Sequence, residues 1–181
     1  MQYIDDLFQF SDIHEVSGFA RFLERVDVLS LKNEIKTEQG IVLVQAQKTL
    51  TENLIRNLLT RSDLSKDSCI ILSTENLKMA IVNKITKEIL SRLDLSDYSF
   101  CSFLLHRQTI DMNRIIRGSL NNPFFLGYIT EVFLSNFNIL NHLIEVSLLS
   151  LGLLVNTNDK SISYTDLIKS FQAGMLHDIS L

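Results

Sequence analysis

The sequence predicts a mostly α-helical protein with a small α/β part at its N-terminus. Glycine (6) and proline (1) are scarce among the 181 residues, which favours helices with short connections. Apolar residues make up 46% of the chain, enough to fill the core of one large domain or two small ones. Short β-branched runs mark the first half, whereas apolar residues spaced by three and four continue through the second half.

The first half combines helix and strand signals, and we place an N-terminal α/β regulatory or scaffold domain at residues 1–100. Gly40 is the turn signal between two strands, and the capping-box pattern of Thr49–Glu52 predicts the start of a helix. The other predicted elements are helices over Tyr3–Phe10, Asp12–Val26 and Thr74–Leu93, and strands over Val26–Ile35, Ile41–Val44 and Cys69–Leu72.

The second half is predicted to be helical throughout. The run Gly118–Pro123 is the clearest break in the chain, so residues 101–122 are assigned to a connector and residues 123–181 to a C-terminal helical bundle. The predicted helices span Phe103–Ile116, Phe124–Asn136, Leu143–Val155 and Tyr164–Leu176, and the second of these is expected to pack under the third.

Three side chains that suit metal binding are expected to meet in this bundle. His142 opens the helix Leu143–Val155, and His177 and Asp178 follow the helix Tyr164–Leu176. Two antiparallel helices joined by a short loop bring the start of one beside the end of the other. Imidazole and carboxylate are common ligands of transition metals, and a preformed site requires the two imidazoles within about 6 Å of each other. The alternative is an ordinary core histidine and a solvated or capping aspartate.

Gly174 lies three residues before His177 and therefore on the same helix face. Its missing side chain would let the facing helix carry His142 close, although simple packing explains the glycine equally well. Asp178 is also placed to bridge two metal ions, with one histidine on each.

At these residues the chain resembles the opening half of an HD domain, most closely that of the HD-GYP phosphohydrolases. That family typically reads H-S-x-x-V-A at its first ligand and G-L-L-H-D-I-G-K at its second. The corresponding strings here are His142–Ser147 (H-L-I-E-V-S) and Gly174–Leu181 (G-M-L-H-D-I-S-L). The resemblance implies that His142, His177 and Asp178 are metal ligands, with Asp178 also catalytic. It further implies divalent iron, manganese or a similar metal, and hydrolysis of cyclic di-GMP.

A second resemblance covers about forty residues of the first half. The chain around Gly40–Ile55 is similar to a module found upstream of many HD-GYP domains, with the pattern G-x-x-L-x-x-x-G-x-x-L-T-E-x-x-I-x-x-L. The usual second glycine is Gln47 here. The resemblance implies a scaffold or sensory piece without known chemistry, and an ordinary strand–helix–strand unit is the alternative.

The chain also departs from the family. Ser180 and Leu181 replace its Gly and Lys, and Asn138 stands where some members carry a Glu. The later His and Asp ligands and the Gly-Tyr-Pro stretch are missing from these 181 residues. We therefore expect the front portion of a longer enzyme, inactive as this chain. The alternative is a non-catalytic regulatory or oligomerisation module with a degenerate HD domain. Uncovered apolar faces predict a homo-oligomer in either case.

Composition limits the other functions. The net charge of −4 disfavours binding to DNA, RNA or anionic membranes. Arg107, Arg114 and Arg117 are expected on a solvated face, because Asp111 lies four residues from Arg107 and can pair with it; contact with a nucleotide phosphate is the alternative. The apolar window Ile139–Val155 is too short and too polar for a membrane span.

The remaining signals place the protein in the cytoplasm. The N-terminus has no basic segment typical of a signal peptide. Cys69 and Cys101 have no metal or redox spacing and are expected as small buried hydrophobes in a reducing compartment. His14 is expected on the surface.

Overall fold

The computed structural model describes residues 2–4, 7–65, 69–72, 76–95, 110–135, 137–157 and 162–178. The contacts divide the chain into two compact units, Met1–Ile81 and Val82–Leu181. The predicted domain boundary at residue 100 lies in the segment 96–109, which is outside the described residues. The domain limits therefore stay a prediction.

Within the described residues, unit 1 contains five short strands. A three-stranded antiparallel sheet has the order β1-β2-β5, and β3 and β4 form a separate antiparallel pair. The strands are β1 (Gln2–Ile4), β2 (Leu7–Phe10), β3 (Ile35–Lys36), β4 (Val42–Val44) and β5 (Ile70–Leu72).

The predicted helix Tyr3–Phe10 is wrong, because this segment forms β1 and β2. Burial alternates along β2, where Phe8 and Phe10 are buried and their neighbours are less so. Phe8 pairs with Leu72 of β5, and both phenylalanine rings pack on Phe19, with ring centroids 5.7 and 5.1 Å apart. Pairing with a strand some sixty residues later therefore outweighs the local pattern.

Two helices of unit 1 begin at side-chain caps. Asp12 accepts hydrogen bonds from the N–H groups of His14 and Glu15 and starts α1 (Ile13–Leu23), so the predicted helix Asp12–Val26 is confirmed with a shorter C-terminal end. His14 is exposed, as predicted. The helix α2 (Glu52–Leu59) follows the predicted box, but its cap is Thr51. Thr49 instead forms an isolated antiparallel β-bridge with Ser30.

The strand predictions have mixed outcomes. Those over Ile41–Val44 and Cys69–Leu72 are confirmed by β4 and β5, with Gly40 in the turn at φ 82°. The strand Val26–Ile35 is wrong over most of its length, because only its last residue belongs to β3. Cys69 is exposed, contrary to prediction, and Cys101 lies outside the described residues.

Gln47 lies in the loop between β4 and α2 and has an unfavourable backbone conformation. Its φ of 63° lies in the left-handed region, which strains residues other than glycine. Its N–H donates to the Leu31 carbonyl at 2.7 Å, which holds the loop against the segment before β3. The two glycine positions of the module pattern, Gly40 and Gln47, therefore both have positive φ.

Five helices are described from residue 77 onward, and the first of them crosses the boundary between the units. They are α3 (Leu77–Leu95), α4 (Met112–Leu120), α5 (Pro123–Ser135), α6 (Phe137–Thr157) and α7 (Tyr164–Leu176). The mostly helical fold with a small strand-containing N-terminal part is confirmed, as are α5 and α7. Of the helix predicted over Phe103–Ile116, residues 103–109 lie outside the described residues.

Two details of this helical part differ from the prediction. The helix α6 begins at Phe137, so His142 lies in its second turn and does not open it. Gly118 lies inside α4, whose C-cap is Asn121, so the break between the helices starts three residues later than predicted. A side chain at Gly118 would meet Cδ1 of Ile168, at 2.5 Å, and glycine therefore lets α4 approach α7.

The core of unit 2 is built around α6 and α7, which pack along each other. The helix α4 contacts α7, and α5 contacts α6 as predicted. The buried apolar side chains that α6 and α7 contribute are Leu140, Leu143, Ile144, Leu148, Leu151, Val155, Phe171 and Met175.

In the described part of the chain, one helical segment, Ile139–Thr157, is long and apolar enough to cross a membrane by length and composition. However, 44% of its most apolar window is buried inside the protein, and core helices of soluble proteins pass the same test.

We predict that Gln47→Gly stabilises the protein, because glycine adopts the left-handed conformation without steric cost. The expected gain in the free energy of unfolding is about 0.5–1 kcal/mol after the entropy cost of glycine. The matched control is Gln45→Gly, an exposed neighbour without positive φ, which should be neutral or destabilising. Urea unfolding measures both, and a destabilising Gln47→Gly would contradict the strain at this loop.

Candidate metal centre

The three predicted side chains converge at the α6–α7 pair. Nε2 of His142 lies 3.2 Å from Nε2 of His177 and 3.3 Å from Oδ2 of Asp178. Nε2 of His177 lies 3.0 Å from the same Oδ2. The imidazole centroids are 5.0 Å apart, so the predicted convergence is confirmed. That these residues bind a metal remains a prediction.

The orientation of His177 is set by its own helix. Its Nδ1 lies 2.7 Å from the carbonyl oxygen of Gly174, the residue one turn earlier. A carbonyl oxygen only accepts hydrogen bonds, so Nδ1 carries the proton. In the neutral ring, Nε2 then carries the lone pair; it lies in hydrogen-bond geometry with Nε2 of His142 and 3.0 Å from Oδ2 of Asp178. Metal-ligating histidines are commonly oriented by such a bond from the other ring nitrogen.

This arrangement brings acceptor atoms unusually close together. In this tautomer Nε2 of His177 is an acceptor, and it lies 3.0 Å from Oδ2 of Asp178, which is also an acceptor when ionised, so the two atoms repel. If neutral His142 carries its proton on Nε2, it donates to Nε2 of His177. A second proton on His177 would give an imidazolium–carboxylate pair with Asp178, and a cation between the groups would give a metal site.

The spacing of the three donor atoms fits a single metal ion. Ligands about 2.0–2.1 Å from a metal are separated by about 3.3 Å in a tetrahedron and about 2.9 Å in an octahedron. The observed separations of 3.0–3.3 Å lie in this range.

The centre is open to solvent on one side. The side chains of His142, His177 and Asp178 are 56%, 30% and 28% exposed. Two nitrogens and one oxygen can occupy one face of a coordination polyhedron, and the other positions then face solvent or a ligand.

The close approach of α6 and α7 depends on Gly174. A Cβ atom there would contact the Ser147 backbone, at 2.7 Å from its nitrogen and closer still to its Cα. Ser147 is buried, and its hydroxyl donates to the Leu143 carbonyl at 2.7 Å. The predicted close approach at Gly174 is therefore confirmed.

A third helix holds the turn of α6 that carries His142. Nε of Arg92, on α3, donates to Oδ1 of Asn141 at 3.1 Å, and Nη1 of Arg92 contacts Glu88 at 3.0 Å. The Arg92 side chain is 12% exposed and lies over the Phe133 ring of α5. The residue next to His142 is thus fixed by a largely buried guanidinium.

Tyr128 on α5 was not selected from the sequence but lies in the electrostatic field of the centre. Burial, and then the negative charge of Asp178, raise the pKa of its phenol, which stays protonated at neutral pH. The only sequence signal was its place in the apolar pattern of the helix Phe124–Asn136, which does not separate a site residue from a core residue.

The arginines considered for phosphate contact have structural partners. The Arg114 guanidinium lies over the Tyr164 ring, 4.1 Å from its centroid, and Arg117 donates to Asn113 and Asn83. Arg107 lies outside the described residues, and Asp111 caps α4 through the N–H of Arg114. The predicted Arg107–Asp111 pair therefore stays a prediction.

Three further positions of the family pattern cannot be placed at the centre. The Asn138 side chain, Ser180 and Leu181 lie outside the described residues. No protein-family model, curated protein or solved structure matches this chain.

We predict that Gly174→Ala destabilises the protein by about 1–3 kcal/mol, because the added methyl group would press on the α6 backbone at the buried residue Ser147. The matched control is Gly118→Ala, since Gly118 lies on α4, the other helix that packs against α7. Its methyl group meets the flexible end of Ile168, so the loss should be smaller and offset by the better helix propensity of alanine. Urea unfolding of both variants measures the difference, and equal stabilities would contradict the close approach at Ser147.

Proposed function

We propose that this chain is the front portion of an HD-GYP-type metal-dependent phosphodiesterase that hydrolyses cyclic di-GMP in its complete form. His142, His177 and Asp178 are the first ligands of its divalent metal site, with iron, manganese or a similar metal bound. The observation that carries the proposal is the convergence of two Nε2 atoms and one carboxylate oxygen at 3.0–3.3 Å.

The upstream module supports the same family. Its pattern places glycine at the positions of Gly40 and Gln47, and both have positive φ. The L-T-E part of the pattern coincides with the start of α2, where Thr51 caps the helix. The backbone therefore favours glycine at both positions where the family pattern has glycine. This agreement in conformation supports the resemblance in addition to the residues that match.

The residues of the chain have distinct tasks in this proposal. The Gly174 carbonyl accepts a hydrogen bond from Nδ1–H of His177, so that Nε2 of the same ring can bind the metal ion. Asp178 supplies the negative charge that neutral imidazoles cannot, and Arg92 fixes the turn before His142 through Asn141. A bound divalent metal would supply Lewis acidity towards a phosphate oxygen and a water of lowered pKa.

Phosphodiesterase activity is proposed for the complete protein, with a cyclic dinucleotide as its substrate. The family holds its metals with further His and Asp residues and approaches phosphate with the Lys that Leu181 replaces here. Three donors from one helix pair bind a metal more weakly than a closed ligand set. The 181-residue chain should therefore bind metal without turning over cyclic di-GMP.

A non-catalytic regulatory or oligomerisation module with a degenerate HD domain is the second candidate. The replacements Ser180 and Leu181 favour it, as do exposed apolar side chains such as Leu153, which is 62% exposed. In this case the three side chains form an imidazolium–carboxylate cluster, and metal is not retained.

We predict that the chain reconstituted with Mn²⁺ or Fe²⁺ retains about one ion, and that His177→Ala and Asp178→Ala weaken its affinity at least tenfold. The matched control is His14→Ala, which removes an exposed histidine from α1 and should leave the metal content unchanged. Metal analysis after desalting gives the stoichiometry, and circular dichroism checks the fold.

Two results would reject the assignment of these ligands. One is a wild-type chain that retains no ion at metal concentrations that saturate ordinary three-ligand sites. The other is a metal content that His177→Ala and Asp178→Ala leave unchanged, since the ion would then be bound elsewhere.

A further inference from the structure

A cavity of about 450 Å³ is lined mainly by α1 and α2, which pack against each other in unit 1. Cavities that hold small ligands in proteins have volumes of about 300–1,000 Å³, so this one has room for a small organic molecule. We name it the α1–α2 cavity. The members that decide its chemistry are Ala20, Arg21, Glu24, Glu52, Ile55 and Arg56.

The base of the α1–α2 cavity is apolar. Ala20 on α1 and Ile55 on α2 are only 7% and 5% exposed, so they form the deepest part of the lining. Leu59, one turn after Ile55, adds a half-buried side chain to the same lining. A base of this kind removes apolar surface of a ligand from water and therefore favours a ligand with an apolar group.

The mouth of the α1–α2 cavity carries charges of both signs. Arg21 on α1 and Arg56 on α2 are cationic, whereas Glu24, the C-cap of α1, and Glu52, the first residue of α2, are anionic. All four residues are exposed, so they surround the buried base at the surface. Their charges sum to zero, and the cavity therefore offers a counter-charge to an anionic group and to a cationic group at once.

The two arginines of the cavity keep hydrogen-bond donors available. Glu52 stands four residues before Arg56, a spacing that often gives an ion pair, yet Arg56 has no ion pair or side-chain hydrogen bond within the described residues. Arg21 donates from Nε to a carbonyl of its own helix at 3.4 Å. By contrast, Arg25 and Arg61, which lie outside this cavity, each donate two hydrogen bonds to an aspartate two residues later. In unit 1, the guanidinium groups that line the cavity are thus the ones that are not engaged by a carboxylate.

We propose that the α1–α2 cavity binds a zwitterionic α-amino acid with a large apolar side chain. Arg21 and Arg56 supply donors for the carboxylate, because a guanidinium group matches the geometry of a carboxylate. Glu24 and Glu52 supply acceptors for the ammonium group, and the apolar base contacts the side chain. A ligand with only one of these charges would leave either the arginines or the glutamates without a counter-charge.

The proposal is independent of the metal centre, because all of its residues belong to unit 1 and none is a proposed metal ligand. It names the class of molecule that an N-terminal regulatory domain would sense here. The mouth is exposed to solvent, and an amino acid such as phenylalanine has only about a dozen non-hydrogen atoms. The expected dissociation constant is therefore on the order of 1 mM.

Nuclear magnetic resonance of the ¹⁵N-labelled 181-residue chain, titrated with L-phenylalanine to about 20 mM, tests the site. We expect saturable changes in chemical shift that are centred on α1 and α2. The matched ligands are 3-phenylpropionate, which lacks the ammonium group, and phenethylamine, which lacks the carboxylate. Each should bind the wild type at least tenfold more weakly than phenylalanine does.

A pair of variants assigns the carboxylate site. Arg56→Gln should weaken phenylalanine binding at least tenfold, and its fold should persist because Arg56 is exposed. The matched control is Arg61→Gln, which removes an arginine that is paired with Asp63 outside the cavity and should bind phenylalanine like the wild type. The spectra of the unliganded variants verify the fold.

Three outcomes would overturn the proposal. They are a wild type without saturable changes at 20 mM phenylalanine, a matched ligand that binds as tightly as phenylalanine, and equal losses in Arg56→Gln and Arg61→Gln. Metal content should be unchanged in Arg56→Gln, so a failure of this cavity and a failure of the metal centre are distinguishable.

Discussion

The contact between α6 and α7 at Gly174 and Ser147 is the constraint on which the second unit depends. Without a Cβ at Gly174, the two helices approach to backbone contact. The same glycine offers its carbonyl to Nδ1 of His177. One residue therefore sets both the separation of the helices and the direction of an imidazole one turn later. The position of His142 opposite His177 follows from this packing, because each ring is carried by one of the two helices.

The electrostatics of the centre follow from that geometry. Three atoms that are acceptors in their unprotonated forms lie within 3.3 Å of one another on a partly exposed surface. Such a cluster needs a proton or a cation to be stable. Arg92 restrains the turn before His142, and the phenol of Tyr128, whose pKa is raised by burial and by the charge of Asp178, stays neutral. The chemistry that the cluster supports thus depends on whether a proton or a metal ion occupies it.

The parts that could be predicted from the sequence are those specified by local patterns. The helix Tyr164–Leu176 was predicted with its observed limits, because Ser163 caps it and its apolar stripe is regular. The convergence of His142, His177 and Asp178 followed from two helices and a short loop. By contrast, Tyr3–Phe10 was predicted as a helix, because its pairing with β5 is not visible in a local window. The start of α6 was missed because the polar residues Asn138, Asn141 and His142 interrupt the apolar pattern before Leu143, although the helix runs through them. The proximity of Tyr128 to Asp178 depends on tertiary packing.

The account depends most directly on the three side chains binding one ion between them. Anomalous diffraction from crystals of the chain grown with Mn²⁺ would locate that ion without reference to activity. We expect a single peak about 2.0–2.3 Å from Nε2 of His142, Nε2 of His177 and an oxygen of Asp178. An anomalous map without a peak there, in which Asp178 and the two imidazoles contact one another directly, would contradict the account.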